Sequence, residues 1–251
     1  MDALFIIGPN NCGNEDLRLA LRSFAKFGRG VARVCASGYL PDWLSGEVAK
    51  FDLPDLPVRG KWKSIINRIV ESVHHFDLRG DFICCSDDIM LVKPVDFTDY
   101  PRYISHSAMP KEVPAGKSNR NYWRALVETR DFLKRHGFPC VNFMTHAHAV
   151  YNADDIRANR ELILSAADET TSGAEGLCLL NNISLKRQPS MRIAWRKDIK
   201  MGDNWNELDA FDPRSMGQFS IGDAALDVPK FKEWANRELS QPCRFEIGGV
   251  E

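Results

Sequence analysis

The sequence predicts an α/β protein, and three observations lead there. Ala3–Ile7, Val31–Ala36 and Phe82–Cys85 are short apolar runs with the length of buried strands rather than helices. Between them lie stretches whose apolar residues recur at helical spacing. Strand, loop, helix and strand then follow one another in the order of a βαβ layer.

The first strand, Ala3 to Ile7, runs into Gly8-Pro9-Asn10-Asn11-Cys12-Gly13-Asn14, residues that tolerate unusual backbone angles. Asn14 is placed to cap a helix, with Glu15 and Asp16 favouring the dipole of its first turn. Leu17, Leu19, Ala20, Leu21, Phe24 and Phe27 give that helix an apolar face, and Arg18 and Arg22 share another. Gly28 and Gly30 end it, and Val31–Ala36 is the second strand. Ser37–Pro41 turns into Asp42-Trp43-Leu44, and 51–57 is a Pro-punctuated connection. Lys61 to His75 is the second helix, apolar at Ile65, Ile66, Ile69, Val70 and Val73 and decorated by Lys61, Asn67 and Arg68.

The third strand ends in the most informative stretch, Phe82-Ile83-Cys84-Cys85-Ser86-Asp87-Asp88-Ile89-Met90-Leu91. Two adjacent carboxylates stand between apolar flanks. A parallel strand ends at the carboxyl edge of its sheet, where open α/β folds bind ligands. Carboxylates held there lose solvation unless a cation or hydrogen-bond donors compensate them. A hard divalent ion, Mg²⁺ or Mn²⁺, shared between Asp87, Asp88 and a substrate phosphate is the simplest compensation. The plainer reading is a turn in which one Asp caps the next element.

From 101 onward the character changes. Residues 111–136 carry Lys111, Lys117, Arg120, Arg124, Arg130, Lys134, Arg135 and His136, with Tyr122, Trp123 and Phe132 interleaved. This is either an amphipathic helix with a solvated basic face or a flap that meets a polyanion, DNA included. Val141–Tyr151 is a second polar-in-apolar segment, where His146 and His148 at i, i+2 on an extended chain would point the same way. Either could complete a metal shell or meet a phosphate, and His148 is the candidate third ligand. Asn152 caps a helix running through Ile156 and Ile163. Ser172–Gly176 is a loop into the apolar run Leu177–Leu180, and 186–200 is basic again. Gly217–Asp223 reads as a short strand ending in a Gly-Asp turn, and Val228–Leu239 as the last helix.

Bulk properties narrow the class. The chain has 251 residues, near the upper end of one α/β domain, and 44% hydrophobic residues, enough for a sizeable core. A net charge of −1 excludes the global basic field of a nucleic-acid coat protein. Seven cysteines without a CxxC spacing point to reduced core thiols rather than zinc or redox chemistry. The N-terminus lacks a signal-peptide pattern, and no stretch approaches a membrane span, so a cytoplasmic protein without an integral membrane segment is expected.

With these residues placed, the chain resembles the Stealth family of nucleotide-sugar-dependent sugar-phosphate transferases and, more loosely, the GT-A glycosyltransferases. Asn14–Ser23 is similar to that family's helix opening N-E-E-L-R-x-S-L-R-S, and Leu40–Leu44 to its I-P-x-W-L. Phe82–Leu91 followed by Pro94 is similar to its F-I-Y-x-N-D-D-x-F-L-x-x-P. His146–Asn152 is a looser match to its third block, Phe219–Asp223 to its late I-N-D and Pro242–Glu246 to its terminal P-S-x-F-E. Gly8–Asn11 stands where the family has an acidic Y-T-W-V-D-G strand end, and its Arg-containing fourth block has no counterpart around 172–182.

The resemblance implies one GT-A-like (Rossmann-like) domain over 1–251, a mixed sheet with helices on both faces. Residues 1–100 would form the nucleotide-sugar and metal half, and 101–251 the acceptor half. It implies transfer of a sugar or sugar-1-phosphate from a nucleotide-diphosphate sugar to an acceptor hydroxyl such as that of a glycan, and the basic stretch 111–136 alone keeps a hydroxymethylated DNA base as a second acceptor. Asp87, Asp88 and His148 are then the metal candidates, for Mn²⁺ or Mg²⁺. Gly8, Asn10, Asn11, Arg18, Arg22, Lys61 and Asn67 are the donor-binding candidates, because guanidinium forks and N–H groups at a helix N-terminus suit phosphate. Asp223, His146 and Asp88 are the catalytic candidates, the first two as bases for the acceptor hydroxyl. Two rival classes share these residues: a non-catalytic module gripping an anionic glycan or nucleic acid, and a metal-dependent phosphoesterase.

Overall fold

The computed structural model describes residues 1–9, 14–53, 61–116, 120–171, 173–196, 200–201 and 217–249, with the backbone alone at 200, 201 and 223. In chain order, β1 (Asp2–Ile7) leads into α1 (Glu15–Phe27), and the short β2 (Gly28–Arg29) precedes β3 (Arg33–Gly38) and β4 (Val48–Asp52). Then come α2 (Lys61–His75), β5 (Asp81–Ser86), β6 (Ile89–Leu91), β7 (Val95–Asp96), β8 (Arg102–Ile104) and α3 (Arg120–Arg135). The rest is β9 (Ala149–Asn152), α4 (Ala153–Ala158), α5 (Arg160–Glu169), α6 (Gly176–Arg187), β10 (Ile193–Trp195), β11 (Lys200–Met201), β12 (Gln218–Ile221) and α7 (Pro229–Leu239).

The main sheet has the order β4-β3-β1-β5-β9. The first four strands are parallel and β9 runs antiparallel to β5. A mixed α/β fold is therefore what the chain adopts. Period-two alternation divides β1 between two cores. Ala3, Phe5 and Ile7 face one side, where α1 packs Leu17, Ala20, Leu21 and Phe24 and α7 adds Phe231. Leu4 faces the other, where α2 packs Ile66, Ile69, Val70 and Val73 and α6 adds Leu179 and Leu180. Both helices use the i, i+3, i+4, i+7 stripe expected of them. Each fully buried side chain of this kind contributes roughly 1.5–3 kcal/mol, which is what holds a helix of α2's length in place.

The connectivity sets where a ligand can bind. From β1 the chain steps outward to β3 and β4, then returns to place β5 on the other side of β1. The strand order reverses between β1 and β5, and the crevice beyond their carboxyl ends is the binding position of open α/β sheets. Gly8 follows β1 and Asp87-Asp88 follows β5, so both border that crevice. Gly38, at the end of β3, has φ +118°, and a Cβ there would stand 2.1 Å from the Ile7 carbonyl oxygen. Only glycine lets the ends of β1 and β3 approach in this way.

Several expectations need correction. Asn14 does not cap α1. It sits in the left-handed region (φ 62°) with no side-chain cap bond, and Asp16 Oδ1 accepts the Leu17 N–H instead. Residues 48–52 form a strand, β4, at the sheet edge. The segment before Ala149 is bent rather than extended, so His146 and His148 do not share a strand face. The helix after Asn152 is broken at Asn159 into α4 and α5, although Asn152 does accept the Asp155 N–H as a cap. Leu177–Leu180 belongs to a helix, α6, capped by Glu175.

Candidate functional site

The acidic turn lies at the reversal point. Asp87 and Asp88 occupy the tight turn between β5 and β6, and both are half-buried. The turn is braced from the far side: the Ile221 N–H donates to the Asp88 carbonyl oxygen at 2.8 Å, and β12 pairs antiparallel with β6. Burial pushes the Asp87 carboxyl up to about 7, and the nearby charges of Asp16 and then Asp88 push it the same way. Lys61 opposes them. Two elements therefore converge on Asp87: the first turn of α1 through Asp16 and the first residue of α2 through Lys61. Both helices begin at the carboxyl edge of the sheet, so the positive ends of their dipoles point toward it.

Asp16 is a site residue that the sequence reading used only as a dipole partner. Its signal was present, an acid in the first turn after a strand-ending glycine loop, but its closeness to Asp87 depends on β1 and β5 being neighbours. Among the described residues, no group of three or more His, Cys, Asp or Glu side chains forms a ready metal cage. An open pair is a different arrangement, since Mg²⁺ is commonly held by one or two carboxylates with water and substrate phosphates completing the shell.

The other candidates separate. Gly8 follows β1, and apart from its chain neighbours no atom of the described residues lies within 4 Å of where a Cβ would stand. Asn10 and Asn11 lie outside the described residues. Lys61 is exposed at the start of α2, and Asn67 is half-buried about 9 Å further along it. His146 is half-buried just before β9, whose antiparallel register on β5 (Ala149 opposite Cys84) returns it toward the acidic edge. Asp223 opens the 3-10 turn Asp223–Asp227, two residues beyond Ile221, and its side chain is outside the description.

His148 is packed among aromatic rings. It is 3% exposed, and its ring stands edge-on to Phe24 and Phe97 with centroids 5.9 Å apart in each case. Neither ring nitrogen has a hydrogen-bond partner among the described residues. Burial, with a smaller push from Arg196, drives its imidazole down to about 3, so it is neutral at physiological pH. The structure gives it a packing position against the aromatic rings of Phe24 and Phe97.

The arginine pair also has another partner. Glu246, with a side chain 2% exposed, accepts from Arg22 Nε at 2.7 Å and Nη2 at 2.9 Å, and from Arg18 Nη1 at 3.0 Å. Arg22 Nη1 donates to the carbonyls of Leu239 and Ser240, so every guanidinium nitrogen of Arg22 has a protein acceptor. Arg18 also lies 4.4 Å above the Trp43 ring. Asp16 and Arg18 are two residues apart, about 200° around the helix, so α1 turns its acid and its arginines to opposite flanks. The flank with the arginines is sealed by the chain terminus: the Ile247 N–H donates to the Trp43 carbonyl, and the Ser45 N–H to the Phe245 carbonyl. Three of the segments that carried the family resemblance, Asn14–Ser23, Leu40–Leu44 and Pro242–Glu246, thus meet in one cluster, and two more, Phe82–Leu91 and Phe219–Asp223, meet at the acidic turn.

Much of the basic surface is paired. In α3, Arg130 bonds Asp131 and the Pro110 carbonyl, and Arg135 pairs with Glu169. Ala125, Leu126, Phe132 and Leu133 bury its other face, while Arg120, Arg124 and Lys134 are exposed. In the second basic stretch, Arg187 pairs with Asp155, Arg192 with Asp99, and Arg196 donates to the Gln218 carbonyl. Among the described residues, no helix is long and apolar enough to cross a membrane.

No protein-family model matches the chain, and no curated protein matches it significantly.

Proposed function

We propose that the chain is a divalent-cation-dependent transferase with a GT-A-like sheet, acting on a nucleotide-diphosphate sugar and passing sugar or sugar-1-phosphate to an acceptor hydroxyl. The observation that carries this reading is the position of Asp87: a carboxyl held with Asp16 and Asp88 at the reversal point of a parallel sheet, between the first turns of two helices. Repelling carboxylates in a half-buried crevice raise the free energy of the folded chain. Their retention at the ligand position of the fold supports a site that is neutralised in use.

The donor set suits a hard cation, with Asp87 and Asp88 as the residues that would hold Mg²⁺ or Mn²⁺. When bound, such an ion supplies positive charge to the diphosphate that leaves. The chain's own groups do the rest. Lys61 adds a cation beside Asp87, and the N–H groups at the start of α1 and α2 face the anionic part of the donor. Asp16 adds a further negative charge beside Asp87 for the cation to neutralise. His146, which precedes the strand returning to this edge, is the candidate for taking the acceptor proton, with Asp223, in the turn beyond β12, as the alternative base. Arg22 belongs to the scaffold and not to the donor site.

A thermal-shift screen of nucleotide sugars with and without Mn²⁺ tests the reading. A donor that raises the melting temperature only with the metal supports it, and loss of that response in Asp88→Ala assigns it to the acidic turn. Stabilisation that survives Asp88→Ala would instead favour a non-catalytic module. Mass spectrometry of the product separates the two transfers, which differ by one phosphate.

A further inference from the structure

The geometry points to Tyr39 as the platform on which the nucleobase of the donor stacks, an inference that rests on the nucleotide-sugar reading above. Tyr39 immediately follows β3, and its backbone N–H donates to the Ile7 carbonyl oxygen at 3.2 Å, which ties it to the end of β1 beside Gly8. It is one of three large apolar side chains exposed among the described residues, at 37%. The other two, Trp195 and Ile247, follow neither β1, β3 nor β5.

The ring is backed by a buried cation. Arg68, on α2, is 2% exposed, and its guanidinium carbon lies 5.2 Å from the Tyr39 ring centroid. Arg68 Nε donates to the Leu53 carbonyl at 3.2 Å, so the guanidinium is itself anchored, at the end of β4. A cation behind an aromatic ring draws on its π electrons, and a base stacked on the ring adds a second flat partner. Gly38 completes the arrangement, because any side chain there would collide with the Ile7 carbonyl and displace Tyr39 from the edge.

The spacing fits one ligand. β3, β1 and β5 are consecutive neighbours, so the ends of β3 and β5 lie about 10 Å apart. A base on Tyr39 would leave the ribose over the end of β1 and the diphosphate near Gly8 and the first turn of α1, within reach of Asp87 and Asp88. Every base has a π face, so stacking of this kind predicts weak discrimination among bases.

The test measures binding of UDP, CDP, ADP, GDP and inorganic pyrophosphate, in the presence of Mn²⁺, to the wild type, Tyr39→Leu and Tyr39→Phe. Expected is binding of at least one nucleoside diphosphate, roughly tenfold weaker in Tyr39→Leu and unchanged in Tyr39→Phe, with pyrophosphate affinity the same in all three. Equal affinity of wild type and Tyr39→Leu would overturn the inference. So would an equal loss for pyrophosphate, or failure of all four nucleotides to bind the wild type. The two readings fail separately. Tyr39-dependent nucleotide binding without Mn²⁺-dependent donor cleavage removes the transferase and keeps the stacking site. Donor cleavage with an unchanged KM in Tyr39→Leu does the reverse.

Discussion

Replacing Asp87 by Asn should stabilise the fold at alkaline pH and not at acid pH. The carboxyl is raised from 3.8 to about 7 by burial, Asp16 and Asp88. A raised acid binds its proton more tightly folded than unfolded, so this group favours the folded state below its unfolded value and loses that contribution as pH rises from about 4 to about 7. A shift of about three units sets a ceiling of about 4 kcal/mol on the loss. Water still reaches this half-buried group, and screening lowers the expectation to about 1–2 kcal/mol. Asn keeps the shape and removes the charge, so the gain is present at pH 8 and absent near pH 4. Urea denaturation of both proteins at pH 4.5, 6 and 8 measures it, and a melting temperature higher by roughly 2–8 °C at pH 8 is the thermal counterpart. A variant that is less stable than the wild type at pH 8, or shifted equally at all three pH values, would refute the reasoning.

Two further outcomes follow from the contacts. Glu246→Gln leaves two guanidinium groups facing a neutral partner in a nearly closed site, and should cost about 3–5 kcal/mol in chemical denaturation; a cost below about 1 kcal/mol would mean that the arginines find water instead. His148→Phe removes an imidazole whose nitrogens have no partner among the described residues and keeps an aromatic ring between Phe24 and Phe97, so stability should be unchanged or higher, with the Mn²⁺ response intact; loss of that response would assign His148 to the metal site.

What could be read from the sequence was what local pattern encodes. The α2 periodicity gave both its ends, and the apolar run with its acidic tip gave β5 and the turn beyond it. α6 escaped because it is buried on nearly all sides, including Asn181 and Asn182, so no amphipathic stripe marks it. β4 escaped because an edge strand with Lys50 exposed carries little apolar signal. The arginine pair was visible, but its partner lies 224 residues away, and a sequence pairing of that length has no local trace. Asp16 was named for its dipole while its role beside Asp87 depends on the neighbouring of β1 and β5. The bend before β9 set His146 and His148 on different paths, a consequence of packing His148 against aromatic rings that the i, i+2 rule does not foresee.

The most direct measurement is a titration of the protein with Mn²⁺ at pH 7.5, followed by electron paramagnetic resonance in the presence of a nucleoside diphosphate. One saturable site in the wild type, lost in Asp88→Ala while the fold is kept, is the predicted result. Equal Mn²⁺ binding in the two proteins, or none in either, would contradict the cation site at the end of β5.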